Sequence, residues 1–193
     1  MSLNVVYSGG MNGGIKRRDV ADSVREIVFG LEDSLVSTLG AVTGIAAGAG
    51  STYMVILSGL VLVSVESLSM AAGSYLSSKS VAEVLPVMEG EEGRAEVRHI
   101  RPLRNGIVMG VFYVLGGMVP LVPYFLLPID LAYGPSILAT GLCLFALGAW
   151  TSKLAKRPLT RGGMEMVSVS LGAAVLGFII GRAVSSAYGI QTL

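Results

Sequence analysis

Glu26, Asp33, Glu66 and Met70 can each bind a cation, and all four sit in stretches that are otherwise almost wholly apolar. Asp33, Ser37, Gly40 and Gly44 follow at i, i+4, i+7 and i+11, one face of a helix. Glu66 and Met70 stand four apart and share a face of a second helix. If the two faces meet, two carboxylates, a hydroxyl and a thioether come within about one helical turn. Carboxylates alone suit hard ions such as Mg²⁺ and Ca²⁺, and a sulfur ligand tilts the set toward a transition metal such as Fe²⁺. A carboxylate near the centre of a bilayer costs on the order of 2.5–3.5 kcal/mol on insertion scales, so its presence there points to function by default.

The elements that must position these groups are Arg25–Gly50 and Thr52–Lys79. No charged residue stands between Ser34 and Val65, a run too long for one crossing. A crossing takes roughly 20 residues at about 1.5 Å each. The run therefore predicts two helices and a tight turn at Gly48-Ala49-Gly50-Ser51. From Ser34 to Gly48 the first helix is too short to span, so it must start near Arg25 and carry Glu26, Glu32 and Asp33 with it. In an antiparallel pair, residues equally far from Ser51 lie at similar depth. Asp33 is then level with Ser69 and Met70, and Glu66 with Val36 and Ser37.

Composition sets the class. Of 193 residues, 52% are hydrophobic and 14% charged, with a mean hydropathy of +0.70. A soluble domain carries about 25% charged residues. The expected fold is all-α, a polytopic membrane protein with helices at about 24–49, 52–78, 105–128, 131–152 and 162–183. Residues 1–18 read as a flexible, Gly-rich segment, 19–188 as a single five-helix domain, 79–104 as a cytoplasmic loop and 189–193 as a tail. The start of the chain shows no apolar core followed by a small-residue cleavage site, so the first helix is expected to act as its own insertion signal. Lys16, Arg17, Arg18, Arg25, Lys79, Arg94, Arg98, Arg101, Arg104, Lys153, Lys156, Arg157 and Arg161 all fall on one side, leaving Arg182 as the exception among 14 basic residues. The positive-inside rule then puts the N-terminus in the cytoplasm and the C-terminus outside. A net charge of +1 gives no reason to expect nucleic acid as a partner, and Cys143, as the one cysteine, permits no intrachain disulfide.

Gly40, Gly44 and Gly48 form a stripe on the Asp33 face, and Gly106 and Gly110 open the third helix. Such stripes allow close helix packing, either inside one subunit or between two. The 79–104 connection holds Glu83, Glu89, Glu91, Glu92, Glu96 and His99, and Gly90 and Gly93 argue against a long helix there. Glu32 points about 100° away from Asp33 and is expected to snorkel or pair with a basic loop residue. Glu26 lies at headgroup depth, where a solvated acid competes with a ligand role. Glu165, four residues after Arg161, reads as a surface ion pair. No GxxxxGK[ST], HExxH, paired CxxC or Ser-His-Asp set occurs, so the chain is read as neither an ATP-driven pump nor an enzyme. The alternative to transport is an assembly protein whose buried acids only fix helix packing.

REIVFGLEDSLVSTLGAVTGIAAGA, LSMAAGSYLSSKS, VLGGMVPLVPYFLL and RGGMEMVSVSLGAAVLGFIIG together resemble the vacuolar iron transporter family, over nearly the whole chain from Arg25 to Arg182. The resemblance implies a five-helix homodimer that moves Fe²⁺, and often Mn²⁺, out of the cytosol in exchange for protons. It assigns Asp33, Met70 and Glu26 to a path near the dimer axis. Glu66 is a candidate on its own chemistry. The resemblance also implies a host bilayer: the plasma membrane in a prokaryote, the vacuolar membrane in a eukaryote. Many members carry a large Glu-rich domain between helices 2 and 3; here the 79–104 connection is too short for one.

Overall fold

The computed structural model describes residues 11–97 and 99–188, and only the backbone of 11–22, 92, 95 and 96. They form α1 (Met11–Ala49), α2 (Thr52–Val97), α3 (Pro102–Leu126), α4 (Ile129–Leu154) and α5 (Leu159–Ala187). Among the described residues, five helices are long and apolar enough to cross a membrane. Only 17% of the most apolar stretch of α2 and 11% of that of α5 is buried inside the bundle, and a lipid solvent accounts for the apolar surface that remains.

The turn between α1 and α2 lies where the charge-free run predicts it. Gly50 adopts φ 58°, and its N–H donates to the Ala46 carbonyl at 3.2 Å, closing α1 with a left-handed cap. Ser51 then starts α2, its Oγ accepting from the Met54 N–H at 3.5 Å.

Two expected boundaries are corrected. Residues 11–18 are helical, a continuation of α1, and not a flexible segment; residues 1–10 and the 189–193 tail lie outside the described residues. The 79–104 connection is largely helical as well, because α2 continues from Lys79 to a kink at Gly90 and a short helical stretch follows the kink to Val97. Between Lys79 and Gly90 the helix is favoured by Ala82, Glu83, Leu85, Met88 and Glu89 and by a Lys79–Glu83 pair at 3.8 Å, and it accommodates Pro86. The glycines act later. Gly90 takes φ 60° and ψ −124°, which breaks the helix direction. A Cβ on Gly93 would lie 2.2 Å from the Leu85 carbonyl oxygen, so the chain beyond the kink folds tightly back on α2.

α1 contacts all four other helices and forms the centre of the bundle. Its glycine stripe meets a matching one on α5. A Cβ on Gly44 would lie 2.7 Å from the Gly177 carbonyl oxygen, and one on Gly181 would lie 2.0 Å from that of Gly44. Of the two readings of Gly40, Gly44 and Gly48, packing within the subunit is therefore the one observed. Gly106 and Gly110 likewise pack on α2, against Ala71, Tyr75 and the Ser67 carbonyl. Toward the α1–α2 turn, Val42, Ala46, Val55, Val63, Leu121, Tyr124 and Ala132 make an apolar core shared by α1 to α4.

Candidate functional site

Glu66 lies in a hydrogen-bonded cluster built from three helices. α2 supplies Glu66, α1 supplies Ser37 and α3 supplies Tyr113. The Tyr113 hydroxyl donates to Glu66 Oε2. Ser37 Oγ lies 3.4 Å from the same oxygen and 2.9 Å from the Tyr113 hydroxyl. Ser37 beside Glu66 is the register expected of the hairpin. Tyr113 is wholly buried, whereas Glu66 is half-buried and can face a path.

Asp33, one turn before Ser37 on α1, is half-buried, and Ser37 itself lies 3.4 Å from Glu66 Oε2. Met70 follows Glu66 by one turn of α2, toward the Gly90 end, and is also half-buried. Among the described residues no three His, Cys, Asp or Glu side chains gather in a metal-holding group. An ion here would have to draw on the mixed set of Asp33, Glu66, Met70 and hydroxyls. Toward the α1–α2 turn, the face of Ser37, Gly40 and Gly44 opens into an apolar groove of about 720 Å³ between α1 and α5.

Glu26 departs from the solvated alternative. It is 2% exposed, with Oε1 accepting from Arg25 at 2.7 Å and Oε2 from Ser74 Oγ at 2.9 Å. A buried carboxylate survives only when paired and hydrogen-bonded, and both conditions hold here. Asn105 Nδ2 donates to Ser78 Oγ at 3.0 Å and Arg104 to Ser23, joining α2 and α1 to the start of α3 at the same end of the bundle.

Glu32 faces elsewhere. With Arg157, Glu165, Thr151 and Ser152 it lines a cavity of about 300 Å³ among α1, α4 and α5. The basic loop residue expected near it is thus Arg157, although the two form no ion pair. Glu165 pairs with Arg161 at 3.2 Å, as its spacing predicts. Tyr113 and Ser74 were not among the sequence candidates. One available signal was Tyr113 itself, a hydroxyl in a charge-free span that needs a buried partner.

Five helices long and apolar enough to cross a membrane, with carboxylates placed within them, define an integral membrane protein. The sequence signature of the VIT family matches residues 24–92 and 86–182, and the chain belongs to that family. An uncharacterized protein of Methanocaldococcus jannaschii is 29% identical over 170 residues, covering 82% of this chain and 88% of its own. Vacuolar iron transporter 1 of Arabidopsis thaliana is 23% identical over 222 residues, covering 88% of this chain and 89% of its own. Vacuolar iron transporter homolog 1 of the same plant is 27% identical over 167 residues, covering 81% and 84%. Members of the family are transporters and not enzymes.

Proposed function

We propose that this chain is a proton-coupled carrier of divalent transition metal, moving Fe²⁺, and Mn²⁺ as a second substrate, out of the cytosol. The observation that carries the reading is the seat of Glu66 against Ser37, one helical turn from Asp33, inside the membrane-spanning region of a VIT-family chain. Two carboxylates that repel each other in a low-dielectric setting are relieved by a divalent cation or by protons. Metal and protons then compete for the same oxygens, and a proton gradient can drive release. Met70 adds the soft ligand, and Glu26 stands at the Gly90 end of the path.

The working unit is a homodimer whose two α1 helices flank the path; the half-open α1–α5 groove and the mixed, incomplete ligand set support it. The basic residues favour a cytoplasmic N-terminus and an outside C-terminus, in the plasma membrane of a prokaryote or the vacuolar membrane of a eukaryote. The chain is a short member of the family. Its match to the family falls in two parts that meet at 86–92, and the 222-residue alignment to the Arabidopsis transporter is longer than this 193-residue chain. Both are consistent with a cytoplasmic domain of the relatives missing near Gly90. The Tyr113 and Ser37 contacts also fit the second reading, in which Glu66 only fixes packing.

Metal uptake into vesicles at several external pH values separates the two. Asp33→Asn removes one ligand charge and should abolish pH-dependent exchange. Undiminished, still pH-dependent transport by that variant would make the acid structural and the site wrong.

A further inference from the structure

The two oxygens of Glu66 are not equivalent. Oε2 accepts a hydrogen bond from the Tyr113 hydroxyl and lies 3.4 Å from Ser37 Oγ, while Oε1 accepts no hydrogen bond among the described residues. Ser37 has one proton and two acceptors within reach, the Tyr113 oxygen at 2.9 Å and Oε2, so it closes the cluster from the α1 side. Tyr113 is fully buried and cannot swing away to solvent. Oε2 is therefore held by protein hydroxyls, and Oε1 is the oxygen left without a hydrogen bond among the described residues.

Number of oxygens is what separates Ca²⁺ from smaller ions. Ca²⁺ takes 6–8 oxygen ligands and often uses both oxygens of one carboxylate. Smaller divalent ions such as Mn²⁺ favour six octahedral ligands and can take one oxygen from each carboxylate. We propose that Tyr113 is a positioning residue for selectivity: by holding Oε2 of Glu66 it limits that carboxylate to one oxygen and so disfavours Ca²⁺. The inference rests on the place of Glu66 in the metal path argued above.

Mn²⁺ binding to the full chain in detergent, followed by electron paramagnetic resonance with Ca²⁺ as the displacing ion, tests it. Wild type, Tyr113→Phe, Ser37→Ala and Glu66→Gln are compared. Tyr113→Phe keeps the ring and removes the donor. It should raise the affinity for Ca²⁺ relative to Mn²⁺ by about tenfold, the lower end of the effect of losing a partner to a metal ligand. Ser37→Ala should shift the ratio in the same direction by less, and it carries the test if the tyrosine variant does not fold. An unchanged ratio in the folded variants overturns the proposal, as does an equal change in both affinities. If Glu66→Gln binds Mn²⁺ as wild type does, Glu66 lies outside the path, and the proposal falls with that assignment and not through Tyr113.

Discussion

Replacing Gly177 by Ala tests whether α1 and α5 are locked by their small residues within one subunit. The added Cβ would lie 1.9 Å from the Gly40 carbonyl oxygen and 2.8 Å from its carbon. Both are backbone atoms in the middle of a helix, so no side chain can rotate away. Contacts below 3.0 Å are essentially never seen for a real Cβ. The helices must therefore separate by about 1 Å locally, and such overpacking costs about 1–3 kcal/mol. Helix propensity opposes this, since Ala improves on Gly by about 0.5–1 kcal/mol. A 1.9 Å approach to backbone puts the cost at the upper end of that range, so the net loss is about 2–2.5 kcal/mol, or roughly 4–10 °C in Tm for a chain of this size. Gly172→Ala is the control, because a Cβ there meets nothing within 4 Å. It should be neutral or slightly stabilising. Trp150, the single tryptophan, reports unfolding by fluorescence in detergent. The difference should hold at every protein concentration, because the contact lies within one chain. Equal melting of the two variants would refute the packing argument, and a difference that appears only near the dissociation range of an oligomer would move the contact to a subunit interface.

Three further outcomes are expected. Met70→Ala should weaken Fe²⁺ transport more than Mn²⁺ transport, since sulfur matters more to the softer ion, and competition uptake in proteoliposomes measures the ratio. Ser74→Ala removes a donor to the buried Glu26 carboxylate at 2.9 Å and should cost about 1.5–3 kcal/mol, read as a thermal shift; wild-type stability would mean that the contact contributes nothing. Cysteines placed at the two termini, in a Cys143→Ser background, should label from opposite faces of sealed vesicles, and labelling from the same face would overturn the five-crossing topology.

The contrast between Ser37 and Tyr113 shows what sequence could and could not reach. Sequence places Ser37 beside Glu66 because a four-residue turn fixes the depth of every residue in α1 against α2. No such turn joins α2 to α3. With helix boundaries at 78 and 105, mirror pairing would set Glu66 level with Gly117, one turn away from Tyr113. In the structure Ser67 faces Gly110, Val63 faces Gly117 and Gly59 faces Leu121. That register comes from packing, since Gly106, Gly110 and Gly117 admit α2 at close range. The extension of α2 to the kink at Gly90 removes most of the connecting segment as a guide. The glycine stripe of α1 was ambiguous for a related reason: its spacing says that a helix approaches closely but not which one. A usable signal lay in α5, where Ala173, Gly177 and Gly181 repeat the same four-residue spacing. Two stripes of equal period on helices of one chain can satisfy each other, and here they do. The second copy proposed above would then have to meet the part of the α1 face left open, the groove that begins at Ser37.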